Sequence, residues 1–192
     1  TRLIEVASLG PAFAGALRRE DVAPEVEDAL QAIEDADLLI VASPVYRASF
    51  TGLFKHLFDF VGQYALVGTP VLVAATGGGE RHALIIEHQL RPLFGFFQAL
   101  TLPLGVYASD ADFDRYELAS DAVRTRIEQA ITRSQPLIAQ AAEQPAGNLW
   151  PEHADSPSRS AAESAEVFSQ PAPTAALTGL IGKQSETQPV SQ

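Results

Sequence analysis

The chain has 192 residues, 24 acidic against 13 basic, a net charge of −11, and neither cysteine nor methionine. Without cysteine there are no disulfides, thiolate metal sites or cysteine nucleophiles, and the acidic balance argues against the basic face that nucleic-acid phosphates demand. An apolar fraction of 46% suffices for a globular core, and no apolar run reaches the ~20 residues of a membrane span, so neither nucleic acid nor membrane is an expected partner.

Residues 2–7 (RLIEVA) read as a strand. Residues 24–36 read as a helix: Pro24 suits the first helical position, Glu25 and Glu27 suit the dipole, and Val26, Leu30 and Ile33 fall on one face. Residues 38–42 (LLIVA) form a continuous apolar run, the pattern of a parallel strand buried on both faces. Residues 50–61 return to helical period, with Phe50, Leu53, Phe54, Leu57, Phe58 and Val61 on one side and Lys55, His56 and Asp59 on a solvated one. Residues 70–75 read as a second buried strand, 83–99 as a long apolar helix, 104–108 as a last strand, and 117–140 as an amphipathic helix through Val123, Ile127, Ala130 and Ile131. Strands alternating with helices predict an open parallel α/β sheet with right-handed crossovers. From residue 141 to 192 the chain is rich in Ala, Ser, Pro, Gln and Glu without apolar period. It reads as a disordered low-complexity tail that holds His153, and in which Trp150 and the apolar residues of 177–181 read as stray residues in preference to a patch that docks on a partner.

Ligands of open α/β sheets sit beyond the carboxyl ends of the strands. Two loops there stand out. The first is Pro44, Val45, Tyr46, Arg47, Ala48, Ser49. Pro44 ends the strand, the apolar Val-Tyr pair suits a flat ligand or a half-buried turn, Arg47 suits an anion, and Ser49 is placed to cap the next helix. The second is Thr76, Gly77, Gly78, Gly79, followed by His82. Successive glycines let backbone N–H groups approach a ligand closely, and they serve a flexible turn equally well. The loop lacks the GK[ST] of a Walker motif and is not GxGxxG. No two histidines have i, i+4 spacing, so no metal site is expected, and Ser43 lacks the G-x-S-x-G setting of a hydrolase. Pro92 inside the 83–99 helix removes an N–H and crowds the carbonyl of His88, so that helix must kink or form a π-bulge. The apolar excess around Phe94, Phe96 and Phe97 marks part of it as a candidate subunit interface.

The runs SPVYRASFTGLFKHLFDF and ATGGGERHALIIEHQLRPLFGFFQALTLPLGVYASDADF resemble the NAD(P)H-dependent FMN reductases of two-component sulfonate monooxygenase systems. The resemblance covers residues 1 to about 140. It implies a flavodoxin-like fold, with FMN and NADH or NADPH as cofactors and hydride transfer from nicotinamide to flavin as the chemistry. It implies that residues 44–49 line the isoalloxazine and ribityl chain, that residues 76–79 offer backbone contacts to the pyrimidine edge, and that His88 occupies the family's π-helix insertion at an oligomer interface. A partner flavin-dependent monooxygenase, a homo-oligomer and a cytoplasmic location go with it. By the same resemblance residues 2–7 are strand 2, and strand 1 with its phosphate loop would lie upstream of Thr1. The 1–140 domain therefore reads as an N-terminally incomplete doubly wound sheet that would hold FMN poorly alone. Other readings of the same fold are a quinone or azo reductase with tightly held FMN, a flavodoxin-type electron carrier, or an inactive fragment.

Overall fold

In the computed structural model, which describes residues 1–143, strand β1 (Leu39–Pro44) pairs in parallel with β2 (Pro70–Gly77). On its other side β2 pairs in parallel with β3 (Leu100–Thr101) and then, further along, with β4 (Val106–Ser109). β3 and β4 thus run in tandem along one edge of β2. Pro103 lies between them and lacks the N–H a ladder needs. The Arg91 guanidinium donates to the carbonyls of Leu102 and Pro103, each at 2.8 Å, and satisfies the oxygens left over at the break.

β2 is covered on both faces. Val71, Val73 and Ala75 enter one core with Phe13, Leu30, Ile33, Phe54, Leu57, Phe58, Leu90 and Phe94, while Leu72 enters a second with Leu102, Val106, Ala108, Val123 and Ala130. This period-two division is what a doubly wound sheet requires. Helices α1 (Val6–Phe13), α2 (Pro24–Glu34), α3 (Gly52–Asp59) and α4 (Arg91–Phe96) serve the first face, and α5 (Asp121–Glu143) serves the second. The arrangement is flavodoxin-like, as the sequence resemblance implies. No described helix is long and apolar enough to cross a membrane.

Several elements differ from the sequence reading, each for a local reason. Residues 2–7 form no strand: the backbone is extended at Glu5 and becomes α1 from Val6. An extended segment without a neighbour to ladder against is not a strand, and here Arg2 is held instead by Asp28 of α2 at 2.6 Å. β1 is buried on one face only, with Val41 and Ser43 inside and Ile40 66% exposed. It is an edge strand of the described sheet, and the second cover that the apolar run predicted is supplied by α5 to β2 and β4. α3 is capped by Thr51, whose hydroxyl accepts from the Phe54 amide at 3.2 Å, and not by Ser49. His56 is half-buried rather than on a solvated face. Its ring packs against Phe13 and Phe60 at 5.5 and 4.8 Å, with Nε2 3.1 Å from the Phe13 carbonyl, so it docks α1 onto α3.

The 83–99 helix is interrupted. Residues Ile86–Leu90 form a π-helical turn before α4, with the Arg91 amide donating to the Ile86 carbonyl. Pro92 then falls in the first turn of the α-segment that follows. Ile131 is 46% exposed and outside the apolar face assigned to it. Residues 117–118 are a strand, β6 (Glu117–Leu118), paired antiparallel with β5 (Phe113–Asp114), and α5 continues to Glu143. The rest of the segment read as a tail, including Trp150, His153 and 177–181, lies outside the described residues.

Candidate functional site

The parallel register puts three loops at one edge of the sheet. Pro44 pairs with Thr76, and Gly77 pairs with Ser109. The 44–49 loop, the glycine loop and the segment after β4 therefore meet at the carboxyl end, where an α/β sheet binds its ligand.

The first loop is a tight hairpin turn. Tyr46 and Ser49 exchange backbone hydrogen bonds at 2.9 and 3.2 Å, and between them Arg47 and Ala48 have φ of 53° and 67°. Two successive positive φ values belong to a type I′ turn, which favours Asn-Gly. Here they fall on residues with a Cβ, a strain that structures tend to keep at functional sites. The base of the turn is anchored. The Val45 amide donates to the Thr76 carbonyl at 2.7 Å, and the buried Ser43 hydroxyl donates to the Pro44 carbonyl and accepts from the Thr51 amide. Ser49 Oγ lies 3.3 Å from Gln89 Oε1, which joins the turn to the π-helical segment. Tyr46, 65% exposed, offers its ring to solvent beside the turn.

The second loop leaves β2 at Gly77. A Cβ there would stand 2.5 Å from the Tyr107 hydroxyl and 3.4 Å from Val45 Cβ. Only glycine lets the two neighbouring strands close over this point. A Cβ on Gly79 would meet nothing within 4 Å, and one on Gly78 only Asp110, at 3.6 Å. Bare backbone therefore borders a cleft of about 500 Å³ whose wall continues through Glu80, Arg81 and His82. Residues 80–82 form a short 3₁₀ turn, closed by the His82 amide on the Gly79 carbonyl at 3.2 Å.

Tyr107 completes the site, and nothing in the motif pattern pointed to it. Its hydroxyl donates to the Gly79 carbonyl at 2.6 Å. Burial, and secondarily the Glu80 carboxylate, hold the phenol above its ordinary range. In the sequence it is only the one aromatic in a strand otherwise of small and branched residues; its pairing with Ala75, two residues before Gly77, belongs to the folded sheet. After β4, the Asp112 carboxylate accepts from the Ser109 amide and hydroxyl, each at 2.8 Å. Those bonds, together with one from Ser120, keep the carboxyl below the usual range.

Of the residues singled out in the sequence, Pro44, Val45, Thr76 and Gly77 are brought into direct contact across β1 and β2. Gly78, Gly79 and His82 share the cleft wall. Arg47 and Ala48 form the tip of the hairpin, and Ser49 reaches Gln89. His88 is exposed within the π-helical turn, and its neighbour Gln89, not His88 itself, makes the link to the first loop. Among the described residues no group of acidic and histidine side chains could hold a metal ion.

The profile of a family described as NADPH-dependent FMN reductase matches residues 1–114. The chain is 56% identical over 138 residues to an NADH-dependent FMN reductase, SfnF, of Pseudomonas fluorescens, spanning 72% of this chain and 74% of that protein. It is 54% identical, over the same shares, to an FMN reductase (NADPH) of Pseudomonas aeruginosa. A crystallised oxidoreductase of Corynebacterium diphtheriae superposes with a TM-score of 0.63 at 37% identity, over 71% of this chain and 74% of the other. The apo form of an NADH:FMN oxidoreductase, EMOB, superposes with a TM-score of 0.57 at 27% identity, over 76% and 71%.

Proposed function

The chain belongs to the NADPH-dependent FMN reductase family, an enzyme family that uses FMN and NAD(P)H, and from that premise we propose how its own residues serve the reaction. The observation that carries the reading is the meeting of a strained hairpin and a bare glycine loop at the carboxyl edge of the sheet, with the glycine loop lining a cleft.

The residues present fit the ring end of FMN. The backbone of Gly78 and Gly79 is open to close approach by a polar ring edge, Val45 gives an apolar surface next to it, and Arg81 and His82 on the cleft wall suit anionic groups. When bound, FMN supplies the acceptor for a hydride from the reduced nicotinamide. The protein stacks, orients and shields. Residues 44–49 flank the flavin, held in one shape by the bonds at the base of the turn. Residues 76–79 meet its pyrimidine edge through backbone groups. No side-chain acid or base is needed, and no nucleophile–base pair stands in the loops.

Reduced FMN released from this site serves a separate flavin-dependent sulfonate monooxygenase in the cytoplasm. The sequence resemblance supports that partner. Leu84 and Phe96, 62% and 60% exposed on the segment carrying the π-helical turn, support a homo-oligomer in which a second copy covers them, with His88 at the contact. The test is oxidation of NADH and of NADPH by the chain at rising free FMN. Saturable turnover of free FMN supports the reading. Nicotinamide oxidation that needs a quinone or azo acceptor and ignores free FMN defeats it.

A further inference from the structure

Resting on the reading of residues 76–79 as flavin contacts, we propose that Tyr107 is the positioning residue of this site: its hydroxyl fixes the Gly79 carbonyl and so sets the shape of the glycine loop that FMN meets.

Three observations converge. The Tyr107 hydroxyl donates to the Gly79 carbonyl at 2.6 Å, the one side-chain bond that the loop backbone receives among the described residues. The same hydroxyl stands 2.5 Å from where a Cβ on Gly77 would be, so the phenol crosses the loop at Gly77 and ends on it at Gly79. The Gly79 carbonyl also accepts from the His82 amide at 3.2 Å, so one oxygen ties the loop both to β4 and to the 3₁₀ turn on the cleft wall.

The physical need is plain. Three consecutive glycines lose more conformational freedom on ordering than any other run, and an unheld loop would incur that loss each time it met a ligand. A donor seated on the neighbouring strand orders the loop beforehand, which is the way preorganisation raises affinity. The phenol suits the task because its hydroxyl is protonated at neutral pH and its ring is carried on the sheet. A phenylalanine would fill the same space and give up only the tether.

Tyr107→Phe is the test. One hydrogen bond of this kind carries a factor of about three to ten. The dissociation constant for FMN, read from quenching of flavin fluorescence, is expected to rise by that factor. KM for FMN should rise in step, while kcat at saturating FMN stays within about twofold and KM for the nicotinamide is unchanged. In the flavin-free full chain, amides of residues 79–82 should exchange several-fold faster, while those of β2 do not. A second route uses Gly77→Ala, which drives a methyl into the hydroxyl and should weaken FMN on its own. If the tether is the cause, adding Tyr107→Phe to Gly77→Ala costs less than it does in the parent, a non-additivity expected only of groups in contact. An FMN dissociation constant within twofold of the parent for Tyr107→Phe, or additive effects in the double variant, overturns the proposal. A parent chain without FMN binding would instead sink the flavin reading, and the exchange measurement would then decide the tether by itself: unchanged exchange at 79–82 refutes it.

Discussion

Ala48 sits at φ 67° at the tip of the hairpin, and its side chain is exposed, so replacing it removes conformational strain and no packing. The left-handed region costs an L-residue about 1–2 kcal/mol relative to glycine. Glycine gives back about 0.5–1 kcal/mol through the freer unfolded chain. Ala48→Gly should therefore stabilise the chain by about 0.5–1 kcal/mol, a rise in melting temperature of roughly 1–4 °C for a domain of this size. Ala48→Val places a β-branched residue at the same φ and should cost about 1–3 kcal/mol. Thermal melts followed by circular dichroism read both. A lower melting temperature for Ala48→Gly together with an unchanged one for Ala48→Val would refute the reasoning, since no positive φ would then be under load.

Arg19→Ala removes a guanidinium that bonds Glu27 at 2.7 and 2.8 Å and Glu34 at 2.5 and 3.0 Å, tying the 19–21 turn to α2 and, through Glu34 and the Gly62 amide, to the end of α3. These groups are about a third exposed or less, so the loss measured by urea unfolding should be about 1–2 kcal/mol. Bonding to Arg19 holds the Glu27 carboxyl below its ordinary range. Its contribution is therefore complete above the unfolded glutamate value of ~4.3 and fades as pH falls through the lowered folded value, so the gap between parent and variant should narrow as the pH is taken down through that range. Gly105→Ala would place a Cβ 2.5 Å from Ile86 Cγ2 and 3.2 Å from the Val73 carbonyl, and should destabilise by about 1–3 kcal/mol; an unchanged melt would contradict that packing. Thr51→Ala removes the cap of α3 and should cost about 1 kcal/mol, whereas Ser49→Ala should leave helix stability unchanged.

Periodicity and punctuation were enough to place α2, α3, β1 and β2 within a few residues, because each owes its position to local chemistry: Pro24 at a helix start, Asp37 before an apolar run, Gly77 at a strand end. Pro92 similarly announced a break, since a missing N–H and a crowded carbonyl are local facts, and the π-helical turn lies directly before it. The two loops that form the candidate site were legible for the same reason, as departures from ordinary turn chemistry at the ends of strands.

What the residues could not disclose depends on neighbours distant in the chain. The apolar run of β1 looks the same whether one face or two is covered, and only the placement of α5 over β2 and β4 shows that Ile40 stays exposed. The strand-like text of residues 2–7 carries no record of whether another strand lies beside it. Arg47 and Ala48 do not advertise positive φ, which the bonds between Tyr46 and Ser49 impose. Tyr107 reads as one more residue of a buried strand until the register of β4 against β2 sets its hydroxyl on Gly79, 28 residues away in sequence. Local order was written in the chain; the shape of the site was decided by which strands came to lie side by side.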